Sequence, residues 1–90
     1  MNSLKFKKGY FLASKGEFAN VVNMVDEGNE LIRFTGTAKN LIEEIYASTT
    51  LELLHQKLAA LHPEQDKKKL DDFLSKFLND IDELKFLERS

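Results

Sequence analysis

The 90-residue chain has no cysteine and no tryptophan. Without cysteine it can hold no disulfide framework, zinc ribbon or cysteine nucleophile, so packing alone must maintain the fold. No stretch approaches the ~20 consecutive apolar residues of a membrane-spanning helix. The first stretch, MNSLKFKKGYFLASKGEF, has lysines but no uninterrupted apolar run of signal-peptide length. These absences lead to the expectation of a cytoplasmic protein with no membrane partner. A surplus of base is missing as well. The net charge is −2, which argues against a dedicated nucleic-acid binder. There is no Gly-rich phosphate loop and no serine with an evident base and orienter. No cofactor, metal or catalytic residue is expected, and the chain is not expected to be an enzyme.

What is present is the composition of a globular domain, 42% apolar and 31% charged, with seven Phe. One domain should span residues 1–90, with 1–8 as an N-terminal arm. A chain of this size buries roughly two-thirds of its unfolded surface, enough for one core. Charge is unevenly placed. The first fifteen residues carry Lys5, Lys7, Lys8 and Lys15 and no acid. The last helical stretch is acidic, so arm and helix can attract each other, though exposed pairs contribute little.

The pattern changes once, near residue 35, from strand-like to helical. Gly16 in ASKGEF and Gly28 in VDEGNE each sit in a short loop between apolar segments, the signature of a hairpin, because glycine accepts the positive φ that closes it. Strands are predicted at residues 10–13, 18–25 and 29–34, joined as a meander. The middle segment is apolar on both faces and suits the centre. The third strand is short and lies at an edge.

From Thr35 the spacing is helical: Leu41, Ile42, Ile45 and Tyr46 recur at three and four, with Ala38 a turn earlier. The hydroxyl of Thr35 or Thr37 can cap this helix. TTLE places Thr49 and Glu52 in a capping box for the next, which carries Leu51, Leu54, Leu58 and Leu61 on one face. That helix must stop before Pro63, which is well placed to open the last one. There Leu70, Leu74, Phe77, Ile81 and Leu84 form the core stripe, with Phe73 and Leu78 at opposite margins. KFLERS closes the chain as an extended tail or a final helical turn. Three strands then three helices predict an α+β fold with an antiparallel sheet covered on one face.

The third strand raises a question of pairing. An edge strand exposes unpaired N–H and C=O groups, which proteins normally blunt with Lys, Pro or a bulge. Between Asn29 and Phe34 only Glu30 and Arg33 serve that purpose. Such an edge suits β-augmentation by an extended peptide. It could equally pair with the N-terminal arm, the C-terminal tail or a copy of itself.

Specific residues sharpen the reading. RFTGTAKNLIEEI resembles the strand–Leu-Asn-x-Thr-Ala–helix junction of the PqqD family (pyrroloquinoline quinone biosynthesis protein D), with Phe34 for the leucine, Thr35 for the asparagine, and Thr37 and Ala38 matching directly. TTLELLHQKLAAL is similar to that family's Thr-led helix. HPEQDKKKLDDFLSKFLNDIDELKFLE is similar to its Asp-Pro-Glu-led last helix and apolar ending, through Phe77, Leu78, Ile81, Phe86 and Leu87. Lys85 stands where the family has a glycine, and no glycine precedes STTLE.

The resemblance implies a winged-helix-like RiPP recognition element (RiPPs are ribosomally made, post-translationally modified peptides, a class of natural product). Such a non-catalytic peptide chaperone binds the leader segment of a precursor peptide. The leader adds as a strand to the third strand, in the groove toward the last helix, and is delivered to a modifying enzyme, often a radical S-adenosylmethionine (SAM) enzyme. Carried onto this chain, the peptide-binding residues are Glu30, Leu31, Ile32 and Arg33 on the strand and Lys69, Phe73, Lys76 and Phe77 on the helix. Phe34, and so Ile32, should be core, leaving Leu31 and Arg33 toward groove or solvent. Phe73 flanked by Lys69 and Lys76 could seat an apolar leader residue and attract leader acids. It could also simply widen the core stripe, and the groove could instead lie on the Leu78 side.

Other features carry less. DKKKLDD reads as a solvated face. His55 and His62 are seven apart, too far to share a metal along one helix as His at i and i+4 would. Asp71, Asp72, Asp80, Asp82 and Glu83 lie mostly on the polar side of the last helix. Two alternatives remain: a winged-helix DNA-binding regulator, whose helix over 50–61 would offer only His55, Gln56 and Lys57 as donors, and a self-associating structural module forming a homodimer through the open edge.

Overall fold

The computed structural model describes residues 3–25 and 29–89, with Asn29 and Glu30 described by their backbone alone. Gly28 of the expected second hairpin lies outside the described residues. The order is β1 (Ser3–Phe6), β2 (Tyr10–Lys15), β3 (Phe18–Asn23), β4 (Asn29–Thr35), α1 (Gly36–Tyr46), β5 (Thr49–Thr50), α2 (Leu51–Leu61), α3 (Lys67–Asp82) and β6 (Leu87–Arg89). The fold is α+β: an antiparallel meander, β2-β3-β4, followed by three helices, compatible with a winged-helix-like arrangement.

The meander follows from its residues. Gly16 takes φ 60° at the β2–β3 turn, which a side chain would resist. Ala19 and Val21 of β3, and Phe34 of β4, are buried, and Leu12 and Ile32 pack against the same core. Phe18 and Val22 alternate onto the opposite, more open face. The central strand is thus covered on one side only. It also ends sooner than its apolar run suggests. Met24 and Val25 lie in a turn, held by Met24 N–H donating to the Gly9 carbonyl (2.8 Å) and Val25 N–H to Asn23 Oδ1 (2.9 Å).

Three short strands, of which the sequence reading held only an extended tail as one option, form a second sheet, β5-β1-β6. The N-terminal arm is therefore structural from Ser3 to Phe6, and the tail is a strand. Leu4 faces Thr49 on one side and Arg89 on the other, and Phe6 faces Leu87. Their side chains seal one end of the core: Leu4, Phe6, Phe86 and Leu87 are all buried. Phe6 meets Phe86 and Tyr46 edge-to-face, at 5.0 and 4.9 Å between ring centres. The arm meets the tail through a strand ladder, not the last helix through charge.

The helix starts differ in detail from those predicted. Thr35 is the N-cap of α1, but its hydroxyl makes no cap bond. Thr37, two residues inside the helix, instead shares a 2.8 Å hydrogen bond with His62 Nε2. The Thr49–Glu52 capping box does not form. Thr49 is buried opposite Leu4, and Thr50, the last residue of β5, is the cap and accepts from Leu53 N–H (3.2 Å). Three residues on from Thr50 stands a leucine, which has no carboxylate to complete the box. Pro63 does not open α3. It ends α2, leaving His62 outside the α region (φ −133°, ψ 66°). Helix α3 starts four residues later, where Asp66 accepts from Lys68 N–H (2.9 Å) and supplies the cap that proline cannot.

On α3 the buried residues are Leu74, Phe77, Leu78 and Ile81. The core stripe therefore widens toward Leu78, which is 6% exposed, and not toward Phe73, which is 42% exposed. Among the described residues no helix is long and apolar enough to cross a membrane.

Candidate functional site

Among the described residues, no strand covers the outer side of β4. The two segments of the chain that could have done so, the arm and the tail, pair with each other. The outer side of β2, at the other edge, also has no partner strand among the described residues. The two edges differ in their surroundings. At Thr35, β4 runs straight into α1 and reaches a cleft between the helices.

The edge is less regular than its sequence suggests. Opposite Val21 stands Ile32, and opposite Val22 stands Glu30, so Leu31 is an extra residue, a β-bulge. A bulge is itself a blunting device, because it twists the ladder and leaves one residue unpaired. The expectation of an edge protected only by Glu30 and Arg33 is corrected accordingly. The ladder toward β3 is regular from Ile32 to Thr35. Glu30 belongs to this strand by its backbone, and its side chain lies outside the description.

Of the strand residues, Ile32 packs against the core and Leu31 is 37% exposed. Arg33 faces solvent, not the α3 groove. Its Nε donates to Asn20 Oδ1 (3.3 Å), and its guanidinium lies 4.3 Å over the Phe18 ring. Phe34 and α3 lie on the opposite face of the sheet, since successive strand residues alternate.

The helix residues divide too. Phe73 stacks parallel on Phe77, with ring centres 6.5 Å apart and planes at 6°. Phe77 is buried and meets Phe34 of β4 edge-to-face at 5.9 Å. A row of three rings thus joins the exposed side of α3 to the underside of the edge strand. Phe73 and Lys69 also border a cleft of about 310 Å³, walled by Thr37, Leu58, His62 and Leu70, with Gln65 at its mouth. Lys76 stays outside this cleft and pairs with Asp80 at 3.1 Å. The structure therefore sets Lys69 and Phe73 on one cleft and Phe77 between Phe73 and Phe34 of β4, leaves Lys76 outside that cleft, and buries Leu78 in the core.

Thr37, His62 and Gln65 escaped the sequence reading as site residues. Thr37 looked like a cap, and His62 was weighed only as a metal ligand. No local signal links two residues 25 apart. Only the stop that Pro63 imposes on α2 hints that His62 ends the helix.

The remaining polar groups are mostly engaged. His55 Nδ1 lies 3.2 Å from Asp71, and His62 Nδ1 lies 3.8 Å from Glu64. Lys57 pairs with Glu44 at 3.4 Å. Two of the three donors that α2 could turn toward DNA, His55 and Lys57, therefore already face carboxylates. Among the described residues no three His, Asp or Glu side chains gather as a metal site.

Set against family models, curated proteins and solved structures, the chain matches none.

Proposed function

We propose that the protein is a non-catalytic, cytoplasmic peptide-binding domain of the PqqD-like kind. It takes the leader segment of a precursor peptide as an added strand on β4 and presents it to a modifying enzyme, a radical SAM enzyme being the expected class. One observation carries the reading. Among the described residues no strand covers the outer side of β4, and the arm and the tail that could have covered it are paired with each other. An open edge beside an apolar cleft is the arrangement strand addition needs: main-chain bonds for affinity and a pocket for side-chain choice.

Two further features support it. The row Phe34–Phe77–Phe73 gives the groove an aromatic wall that ends in an exposed ring. Lys85, standing where the family has glycine, holds φ 61°, the conformation a glycine would favour. Regulation of DNA is the weaker reading, because α2 cannot assemble the several free cations that phosphate contacts require.

The test is a titration with the leader of a precursor peptide encoded beside the gene, followed by amide NMR. Binding near ~1 μM, about −8 kcal/mol, is expected, with shifts concentrated in residues 31–35 and 66–77. No binding, together with β4 amides already protected in a concentration-dependent dimer, would show instead that the edge serves self-association.

A further inference from the structure

We infer that the cleft between α1, α2 and α3 receives an Asp or Glu side chain of the bound peptide, from a residue just beyond the stretch paired with β4. This rests on the strand-addition reading and adds the peptide's chemistry. Position gives the first argument. Thr37, on the cleft wall, is two residues past Thr35, where β4 ends. A peptide leaving the edge at that end heads toward the start of α1, where Thr37 walls the cleft.

Charge gives the second. No residue bordering the cleft is acidic, whereas Lys69 stands at its rim without an ion-pair partner among the described residues. Elsewhere on α3, Lys67 lies 3.9 Å from Asp71 and Lys76 lies 3.1 Å from Asp80, while Lys68 is as unpaired as Lys69 among the described residues but does not border the cleft. The second cleft, on the far side of the 62–66 turn, contains Asp71 together with Lys67 and His55, so its charge is matched internally. Of these two clefts, the one walled by Thr37 holds the lysine with no ion-pair partner among the described residues. Glu64 approaches the other nitrogen of His62 at 3.8 Å, but it is 65% exposed and does not border the cleft.

The lining completes the match. The Gln65 amide adds N–H donors, and the Thr37–His62 pair holds a polar group at 2.8 Å within the wall. Leu70 and Phe73 offer apolar surface to the methylenes that carry a carboxylate. Electrostatic complementarity of this kind chooses among partners more than it adds affinity.

The experiment is selection of a random-peptide display library on the immobilised protein, run in parallel on Lys69→Glu. Lys69 is exposed, so the variant should keep its fold, checked by circular dichroism. Winning peptides should carry an acidic residue at a fixed place beside an apolar segment, and should shift the β4 amides in NMR. Charge reversal at Lys69 should weaken them about tenfold and turn the selected position basic. Peptides that bind at β4 with no acidic preference, and are indifferent to Lys69→Glu, would overturn the inference while leaving strand addition standing. If no peptide is enriched, both readings fall.

Discussion

Lys85 holds φ 61° in the turn after α3, and its N–H donates to the Asp82 carbonyl at 3.2 Å. The left-handed conformation costs an L-residue about 1–2 kcal/mol because Cβ crowds the following carbonyl. Glycine avoids that crowding but loses about 0.5–1 kcal/mol more backbone entropy on folding. The Lys85 side chain is exposed, so little else is lost. Lys85→Gly should therefore stabilise the fold by about 0.5–1 kcal/mol, a rise in melting temperature of about 2–8 °C for a domain this small. Urea unfolding followed by circular dichroism would read it as a higher midpoint at constant m. Lys85→Ala separates backbone from charge: it removes the ammonium but keeps the strained φ, and should change stability by less than about 0.5 kcal/mol. If Lys85→Gly destabilises, or if alanine gains as much as glycine, the left-handed backbone is not the source of the effect.

Two other substitutions probe the second sheet. Thr49 Oγ1 is buried without a hydrogen-bond partner among the described residues, so Thr49→Val should be neutral or stabilising by up to about 1 kcal/mol; a loss in a thermal melt would mean that the hydroxyl has a partner after all. Phe86 is fully buried against Phe6 and Tyr10, and Phe86→Ala should remove about 3–5 kcal/mol, a large share of the ~5–15 kcal/mol that holds a typical domain. A loss under about 1 kcal/mol in urea unfolding would show that the tail is not part of the core.

The meander and the helices were legible because their signals are local. Gly16 between apolar runs marks a turn, and Leu41, Ile42 and Ile45 mark a helix face, whatever happens elsewhere. The second sheet was not, because β1 is only four residues long and its partners lie at the far end of the chain: Leu4 pairs with Thr49 and Arg89. The same long-range pairing explains the misplaced cap. Once Thr49 is held by Leu4, the helix starts at the next threonine. The Leu31 bulge is also invisible locally, since it exists only in the register between two strands. The helical angle of Phe73 gives its place at the margin of the core stripe, but the neighbours that form a cleft with it, Thr37 and His62, meet only through tertiary folding.

On the proposed strand addition, the bulge also decides where affinity must come from. Regular edge remains from Ile32 to Thr35, four residues or about 13 Å of strand. Alternate residues of an antiparallel edge offer both N–H and C=O outward, so a peptide gains about four main-chain bonds there. At about 0.5–1.5 kcal/mol net each, they contribute ~2–6 kcal/mol. Association itself costs about 4–15 kcal/mol. Backbone pairing alone therefore leaves little or no net affinity, far from the −8 kcal/mol of a ~1 μM complex. The shortfall falls to side chains, and the exposed aromatic group on the helix side is Phe73, with its ring stacked on Phe77 and 42% exposed. Phe73→Ala should then weaken peptide binding about thirtyfold or more, as truncation of a buried aromatic anchor does, while changing stability little, because much of the ring is in water before the peptide arrives. Methylating a single peptide nitrogen should remove one main-chain bond and weaken binding about tenfold or less. Calorimetric titration of both changes gives their order directly. If N-methylation proves the more damaging, the edge dominates recognition and the cleft is only its neighbour.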